Sequence, residues 1–149
     1  MDVVITYVDI TPSWKEKYST YVVKDIEEER FRSYGVLDLQ IKLIRKYMSW
    51  VGNIFVVVSD EDQIPENFDK SLCTFVFHKD IIPNKYLPCF NSCTIEMFLH
   101  KIKNLSEEFI YFNDDIFVID YLAPSAFFVN HKPCLTPTLY TPKKMMECI

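Results

Sequence analysis

Glycine is scarce in this chain: only Gly35 and Gly52 occur among its 149 residues. A P-loop or a GxGxxG dinucleotide motif needs several glycines within one short loop, so neither can form here. A phosphate group must therefore be bound in another way. The apolar runs are also short, since stretches such as Ile54 to Val58 fall far below the ~20 residues that a membrane-spanning helix needs. The sequence therefore predicts no transmembrane segment.

The chain also lacks an excess of positive charge. Its 16 Lys and Arg residues stand against 21 Asp and Glu residues, which gives a net charge of -5 and disfavours nucleic acid as a partner. A polyanion that arrives with a divalent cation is compatible with this charge. No CxxC pair occurs among the five cysteines, and the first residues enter a strand-like run without a basic and apolar secretion signal. We therefore expect reduced thiols, free and buried at Cys89 and Cys93, and a cytoplasmic protein.

The length fits a single domain, residues 1–149, with one sizeable core. Four apolar runs of strand length read as continuous stretches rather than as clean alternation, which is typical of a parallel sheet that is buried on both faces. They are Val3–Val8, Ile54–Val58, Thr74–Phe77 and Phe109–Phe112.

Two segments between these runs carry apolar residues at helical spacing. One spans residues 34–48, and the other contains Ile95, Leu99 and Ile102. The order strand, helix, strand, strand, helix, strand predicts an α/β fold with a mostly parallel sheet flanked by helices. Beyond Tyr121 prolines interrupt the pattern, and we expect a loop or an edge strand there.

A carboxylate follows shortly after the end of every predicted strand, at Asp9, Asp60, Asp80 and Asp114. Ligands of open α/β sheets bind outside the carboxyl ends of the strands, so these acids are predicted to line one edge. For each of them, capping of the next helix is the competing interpretation. The adjacent carboxylates of Asp114 and Asp115 repel each other unless solvent or a cation offsets their charge. A hard divalent ion held together with a pyrophosphate does this, so both are predicted ligands of Mg²⁺ or Mn²⁺.

The second predicted helix carries further candidates. Glu96 and His100 are four residues apart, hence neighbours on one helix face. Such a pair can perform acid–base chemistry, although an ordinary surface pair is the alternative. Asn91 and Ser92 precede this helix and can either cap it or hold an anion at its N-terminus.

For a few further residues, the residue type is the main indication of a possible role. Arg30 and Arg32 are candidates for a phosphate contact, with exposed arginines as the alternative. Trp14 follows Asp9 closely enough in the sequence to pack beside a base or a sugar ring. A structural role is nevertheless the favoured interpretation for Trp14, Trp50, His78 and His131.

A larger pattern emerges from several segments taken together. They are Asp2 to Asp9 with Pro12 and Trp14, Arg30-Phe-Arg32 with Gly35, Leu87 to Ser92, Ile95-Glu96 with Leu99-His100, Leu105-Ser106, and Phe109 to Asp115. This pattern resembles the Stealth family, which includes bacterial capsular polysaccharide phosphotransferases. The resemblance implies a nucleotide-diphospho-sugar transferase-like, Rossmann-like fold. It also implies transfer of a sugar 1-phosphate from a donor such as UDP-N-acetylglucosamine to a sugar hydroxyl, in capsule, exopolysaccharide or glycan biosynthesis.

The resemblance also suggests roles for residues. Glu96 and Asp115 match acidic active-site residues of the family, and the spacing of His100 from Glu96 adds His100 to the expected catalytic set. The resemblance is compatible with Mg²⁺ held by Asp115 with Asp114. The expected donor-binding residues are Tyr7, Asp9, Trp14, Arg32, Asn91 and Ser92.

The later blocks of the family have no counterpart before Ile149. Two alternatives to the sugar-1-phosphate transferase stay open, and the missing blocks favour the second of them. One is a glycosyltransferase of the same fold that releases nucleoside diphosphate. The other is a non-catalytic module that binds sugar nucleotides.

Overall fold

The computed structural model describes residues 1–22, 26, 28–31 and 34–134, with the backbone alone at residues 28 and 30. The strands are β1 (Asp2–Thr6), β2 (Ile54–Val58), β3 (Thr74–Phe77), β4 (Phe109–Asn113), β5 (Phe128–Val129) and β6 (Lys132–Pro133). The α-helices are α1 (Pro12–Tyr21), α2 (Glu28–Phe31), α3 (Leu37–Tyr47), α4 (His78–Ile81) and α5 (Ser92–Phe98). Short 3₁₀ helices lie at Glu61–Gln63, Asn84–Tyr86, Leu99–Lys101 and Pro124–Ala126. No helix within these residues is long and apolar enough to cross a membrane.

Four strands form a parallel sheet in the order β3-β2-β1-β4. In this register Val3 of β1 lies beside Ile54 of β2 and Ile110 of β4. The central strands β1 and β2 are almost entirely buried, while the edge strands are more exposed. The central strands are continuous apolar runs because a parallel sheet is covered on both faces. The predicted α/β fold, with a mostly parallel sheet flanked by helices, is confirmed.

Alternate residues of the central strands pack against different helices, because successive side chains of a strand point to opposite faces. Val3 and Ile5 share a buried cluster with the apolar stripe of α3, which includes Ile41 and Ile44. Val4 shares the second cluster with residues of α5 and the turn after it. Helix α3 is shorter than the predicted segment 34–48. It begins after Gly35, whose φ of 67° is a left-handed conformation that does not continue into an α-helix.

Asp2 ties the amino ends of three strands together. One of its carboxylate oxygens accepts a hydrogen bond from the Asn53 backbone N–H at 2.8 Å. The other accepts hydrogen bonds from the N–H and the hydroxyl group of Ser106, at 2.9 and 2.7 Å. Burial alone would raise the pKa of Asp2, but these hydrogen bonds outweigh it and the pKa is lowered. Asn53 directly precedes β2, and Ser106 lies shortly before β4. Asp2 therefore fixes the amino edge of the sheet.

The segment beyond Tyr121 contains a small separate hairpin rather than a strand of the main sheet. Strands β5 and β6 pair in antiparallel fashion, and the two residues between them, Asn130 and His131, both have positive φ. Two positive φ values are what a two-residue hairpin turn requires, and Asn adopts them more readily than most residues.

The free cysteines differ in burial from the prediction. Cys89 is buried as expected, but Cys93 is exposed, so the prediction of a buried thiol was wrong there. Cys93 lies in the first turn of α5, on the side of the helix that faces away from the core. Ile95 is the buried residue of this helix. Cys73 is partly buried, and burial raises the pKa of its thiol to about 12.

Candidate functional site

The carboxyl ends of the four parallel strands lie at one edge of the sheet, here called the carboxyl edge. Acidic residues follow the strands there, but they make different contacts. Asp80 accepts the Phe77 backbone N–H at 3.1 Å, so it caps α4, which was the competing interpretation. Asp60 forms an ion pair with Lys17, with an N–O distance of 2.7 Å. Asp9 follows β1, and the Asp114–Asp115 pair follows the neighbouring strand β4.

Glu96 reaches the carboxyl edge through Tyr111. The Tyr111 hydroxyl lies 3.3 Å from Glu96 Oε1 and 2.7 Å from Asn113 Oδ1. Since it has one hydrogen to donate, these two oxygens compete for it. The hydroxyl group of Thr6 in β1 is also within hydrogen-bond distance, at 2.9 Å. Helix α5, β1 and β4 therefore meet in one hydrogen-bonded group.

Asp114 is partly buried beside the end of β1. Burial raises the pKa of its carboxyl, and the charge of Asp115 adds to this, while a hydrogen bond from the Val8 backbone N–H opposes it. Asp115 itself is exposed. No group of three or more His, Cys, Asp or Glu side chains within the described residues is arranged to hold a metal ion. The two aspartates therefore supply carboxylate oxygens without a complete set of protein ligands.

A buried glutamine fixes the loop that carries these aspartates, residues 113–116, here called the carboxylate loop. Gln40 lies on α3 and is fully buried. Its amide Nε2 donates to the backbone carbonyls of Asn113 at 2.7 Å and Ile116 at 2.8 Å. These two bonds span the loop, so α3 holds both ends of the turn that contains Asp114 and Asp115.

The segment after β1 is held by a second buried glutamine. The backbone N–H of Asp9 donates to Gln63 Oε1 at 2.8 Å, and Gln63 is 1% exposed. The hydroxyl group of Thr11 accepts the Trp14 backbone N–H at 3.1 Å and thereby caps α1. The position of Asp9 is thus fixed through its backbone N–H.

Trp14 and Tyr7 are both buried. Trp14 stacks on Tyr18, with ring centroids 4.9 Å apart, and also contacts Phe31 and Phe90. This aromatic packing is the structural role that was favoured for Trp14. The same residue also lines two cavities at the carboxyl edge, the smaller of which is lined by Tyr7 and Ser92 as well.

The remaining predicted site residues are not brought into this group. His100 is exposed and lies in the 3₁₀ helix after α5, and no hydrogen bond or ion pair within the described residues joins it to Glu96. The side-chain oxygen of Asn91 accepts the Thr94 N–H at 3.1 Å, so Asn91 caps α5. Arg32 lies outside the described residues, and so does the side chain of Arg30.

Comparison with known proteins identifies the family to which the chain belongs. Residues 30–135 match the family described as Stealth protein CR2, conserved region 2. The chain belongs to the Stealth family. It is 42% identical over 140 residues to a capsular polysaccharide phosphotransferase of Actinobacillus pleuropneumoniae, an alignment that covers 86% of this chain and 38% of the relative.

Other Stealth relatives give the same result. A capsular polysaccharide phosphotransferase of Neisseria meningitidis serogroup B is 40% identical over 145 residues, which cover 88% of this chain and 38% of the relative. One of Streptococcus thermophilus is 36% identical over 143 residues, which cover 91% of this chain and 60% of the relative. The chain thus spans between 38% and 60% of the length of these relatives.

Sequence reasoning missed several residues of this candidate site. Tyr111 and Gln40 were counted only as members of apolar segments, although both organise the carboxylates. Ser59 and His78 line both cavities, whereas a structural role was the favoured interpretation for His78. The available signal was that both residues directly follow predicted strands, at the end where ligands bind in α/β sheets.

Proposed function

We propose that this chain carries the catalytic carboxylates of an enzyme that transfers a sugar 1-phosphate. The donor is a nucleotide-diphospho-sugar such as UDP-N-acetylglucosamine, and the acceptor is a hydroxyl group of a sugar or polysaccharide in capsule or exopolysaccharide biosynthesis. The names of the relatives support phosphotransfer and a capsular polysaccharide. The observation that carries the proposal is the contact of Tyr111 with both Glu96 and Asn113, which joins a candidate base to the carboxylate loop.

Asp114 and Asp115 fit a bound Mg²⁺ or Mn²⁺ ion. Burial and the charge of Asp115 raise the pKa of Asp114, and a cation beside the pair offsets both causes. Mg²⁺ in phosphate-transferring sites is typically held by one or two carboxylates and completed by water and substrate phosphates. Two aspartates at an open edge meet that requirement. When bound, the ion neutralises charge on the pyrophosphate of the donor.

In the proposed reaction, Glu96 accepts the proton of the acceptor hydroxyl while its oxygen forms a bond to the β-phosphorus. The bond between the β-phosphorus and the bridging oxygen breaks, and its electron pair leaves with the nucleoside monophosphate. Tyr111 is a positioning residue that orients Glu96. Burial, together with the negative charges of Glu96 and Asp114, raises the pKa of Tyr111, so its hydroxyl keeps its proton and serves as a hydrogen-bond donor.

Phosphorus NMR of the spent donor tests this function. The chain is incubated with UDP-N-acetylglucosamine, Mg²⁺ and an N-acetylglucosamine oligosaccharide, and the expected products are UMP and a new phosphodiester. Release of UDP would instead identify a glycosyltransferase. A donor-dependent rise in Tm by mass action, without turnover, would identify a binding module.

Variants test the roles of the carboxylates. Glu96→Gln is expected to abolish turnover and to keep the donor-dependent rise in Tm, because the amide preserves the shape of the side chain but does not accept the proton. Glu107→Gln, at an exposed position outside the group, is the matched control and is expected to keep full turnover. A Glu96→Gln variant as fast as the parent chain refutes the role given to Glu96.

A further inference from the structure

Two adjoining cavities lie at the carboxyl ends of β2 and β3. The larger has a volume of about 310 Å³ and the smaller about 100 Å³. Five residues line both of them, so we treat them as one joined cavity. The shared residues are Trp14, Ser59, His78, Cys89 and Phe90.

Two polar side chains in the joined cavity lack protein partners. The Ser59 Oγ atom is shielded from water and makes no hydrogen bond. His78 is 7% exposed, and its imidazole makes no hydrogen bond within the part of the chain that the structure describes. A buried polar atom such as Ser59 Oγ is nearly always paired in proteins, and leaving it unpaired is costly. A ligand that fills the cavity would supply the missing partners.

The chemistry of these groups selects a class of ligand. Burial lowers the pKa of His78 to about 4, although the charge of Asp60 opposes this. The imidazole is therefore neutral near pH 7, with one N–H donor and one acceptor nitrogen. Ser59 adds a hydroxyl that can donate or accept. Two neutral groups of this kind suit a planar ring with both donors and acceptors on its edge, and they offer no charge to a phosphate.

The walls and the rim of the joined cavity also favour a flat, uncharged ring as its ligand. Trp14 and Phe90 supply aromatic surface, with their rings in edge contact at 5.6 Å. The charged lining residues of the larger cavity are the half-exposed Lys17–Asp60 ion pair and the exposed Lys79, so these charges belong to the rim rather than to the interior. A volume of about 310 Å³ is at the lower end for small-molecule sites, which suits part of a ligand rather than a whole nucleotide sugar.

The joined cavity also leads toward the reactive groups. Its smaller part is lined by Thr6 and Val8 at the end of β1. Thr6 contacts Tyr111, and the Val8 N–H binds Asp114. A ligand with its ring in the larger part can therefore extend its phosphates along the end of β1 to the carboxylate loop.

We propose that the joined cavity binds the base of the nucleotide donor, with His78 and Ser59 as hydrogen-bond partners of the base edge and Trp14 as its aromatic wall. This proposal rests on the proposed function for the identity of the donor. It assigns recognition of the base to side chains of β2 and α4 that are separate from the reacting carboxylates.

Calorimetric titration with UMP and with AMP tests the proposal and distinguishes a pyrimidine site from a purine site. Ser59→Ala is expected to weaken binding of the preferred nucleotide about tenfold, as for the loss of one hydrogen bond. The same variant should not lower the Tm of the free chain, because the hydroxyl that it removes has no protein partner. Ser19→Ala, at an exposed position on α1, is the matched control and should bind like the parent chain.

The binding and turnover results distinguish a failure of the proposed base site from a failure of the proposed transferase function. If neither nucleotide binds, or if Ser59→Ala and His78→Gln both bind as tightly as the parent chain, the assignment of the base is wrong, even when sugar-phosphate transfer is observed. If the variants weaken binding of UMP or AMP but the donor is never turned over, the base site stands and the transferase function fails. A Ser59→Ala variant with a lowered Tm and unchanged affinity points to a purely structural hydroxyl and also overturns the proposal.

Discussion

The burial of His78 predicts how the stability of the fold depends on pH. Burial lowers the pKa of this imidazole in the folded chain to about 4, against the opposing charge of Asp60, while the ordinary value in an unfolded chain is about 6.5. Between these two values the unfolded chain binds a proton that the folded chain does not bind. Unfolding is therefore favoured as the pH falls, and the stability that neutral His78 preserves is fully present only above about pH 6.5.

The size of the effect follows from the difference between the two pKa values. Each unit of difference is worth about 1.4 kcal/mol, so the full contribution approaches about 3.5 kcal/mol below pH 4. At about pH 5, where most carboxylates are still ionised, the expected loss from His78 is about 2 kcal/mol relative to neutral pH. This is a large part of the stability of an ordinary small domain.

Urea unfolding followed by tryptophan fluorescence measures this loss at about pH 7.5 and about pH 5. His78→Gln does not titrate, so its free energy of unfolding should fall between these pH values by about 2 kcal/mol less than that of the parent chain. His100→Gln replaces an exposed imidazole and should behave like the parent chain. Equal losses in the parent chain and in His78→Gln would refute the reasoning, because the pH dependence would then arise from other groups.

Three further predictions concern the two edges of the sheet. Gln40→Leu removes both hydrogen bonds to the carboxylate loop and should lower the free energy of unfolding by about 1–3 kcal/mol in urea titrations, since two partly buried hydrogen bonds are lost; a loss within experimental error would show that water replaces the amide. Gly52→Ala brings a Cβ atom to 2.8 Å from Asp2 Oδ1 and should cost about 1–3 kcal/mol, whereas an unchanged Tm would mean that the carboxylate moves aside freely. Asp114→Asn removes a charge that burial disfavours, so it should keep the Tm of the free chain but abolish the Mg²⁺-dependent part of donor binding in calorimetry; retained Mg²⁺ dependence would exclude Asp114 as a ligand.

The sequence predicted the sheet well because its strands are short apolar runs with polar residues at both ends. The bounds of β2 and β3 agree with the prediction to the residue. β1 was predicted to continue to Val8 but ends at Thr6, because the Val8 N–H binds the side chain of Asp114 instead of a neighbouring strand. A contact between a backbone group and a distant carboxylate has no signature in local hydropathy.

The site was less predictable, since its organising contacts join distant parts of the chain. Gln40 and Asn113 are 73 residues apart, and nothing in the apolar stripe of α3 indicates that Gln40 faces a loop after β4. The pairing of Glu96 with His100 assumed a continuous α-helix. Helix α5 ends at Phe98 and a 3₁₀ helix follows, so the α-helical spacing on which the pairing was predicted does not extend to His100.

The clasp formed by Asp2 has a consequence for how such a protein diversifies. Asp2 holds the starting points of three strands at the edge of the sheet opposite the carboxyl edge. Strand alignment is thereby maintained independently of the loops at the carboxyl edge. New specificities can then arise by exchanging those loops on an unchanged scaffold, in the way that α/β proteins commonly acquire new substrates.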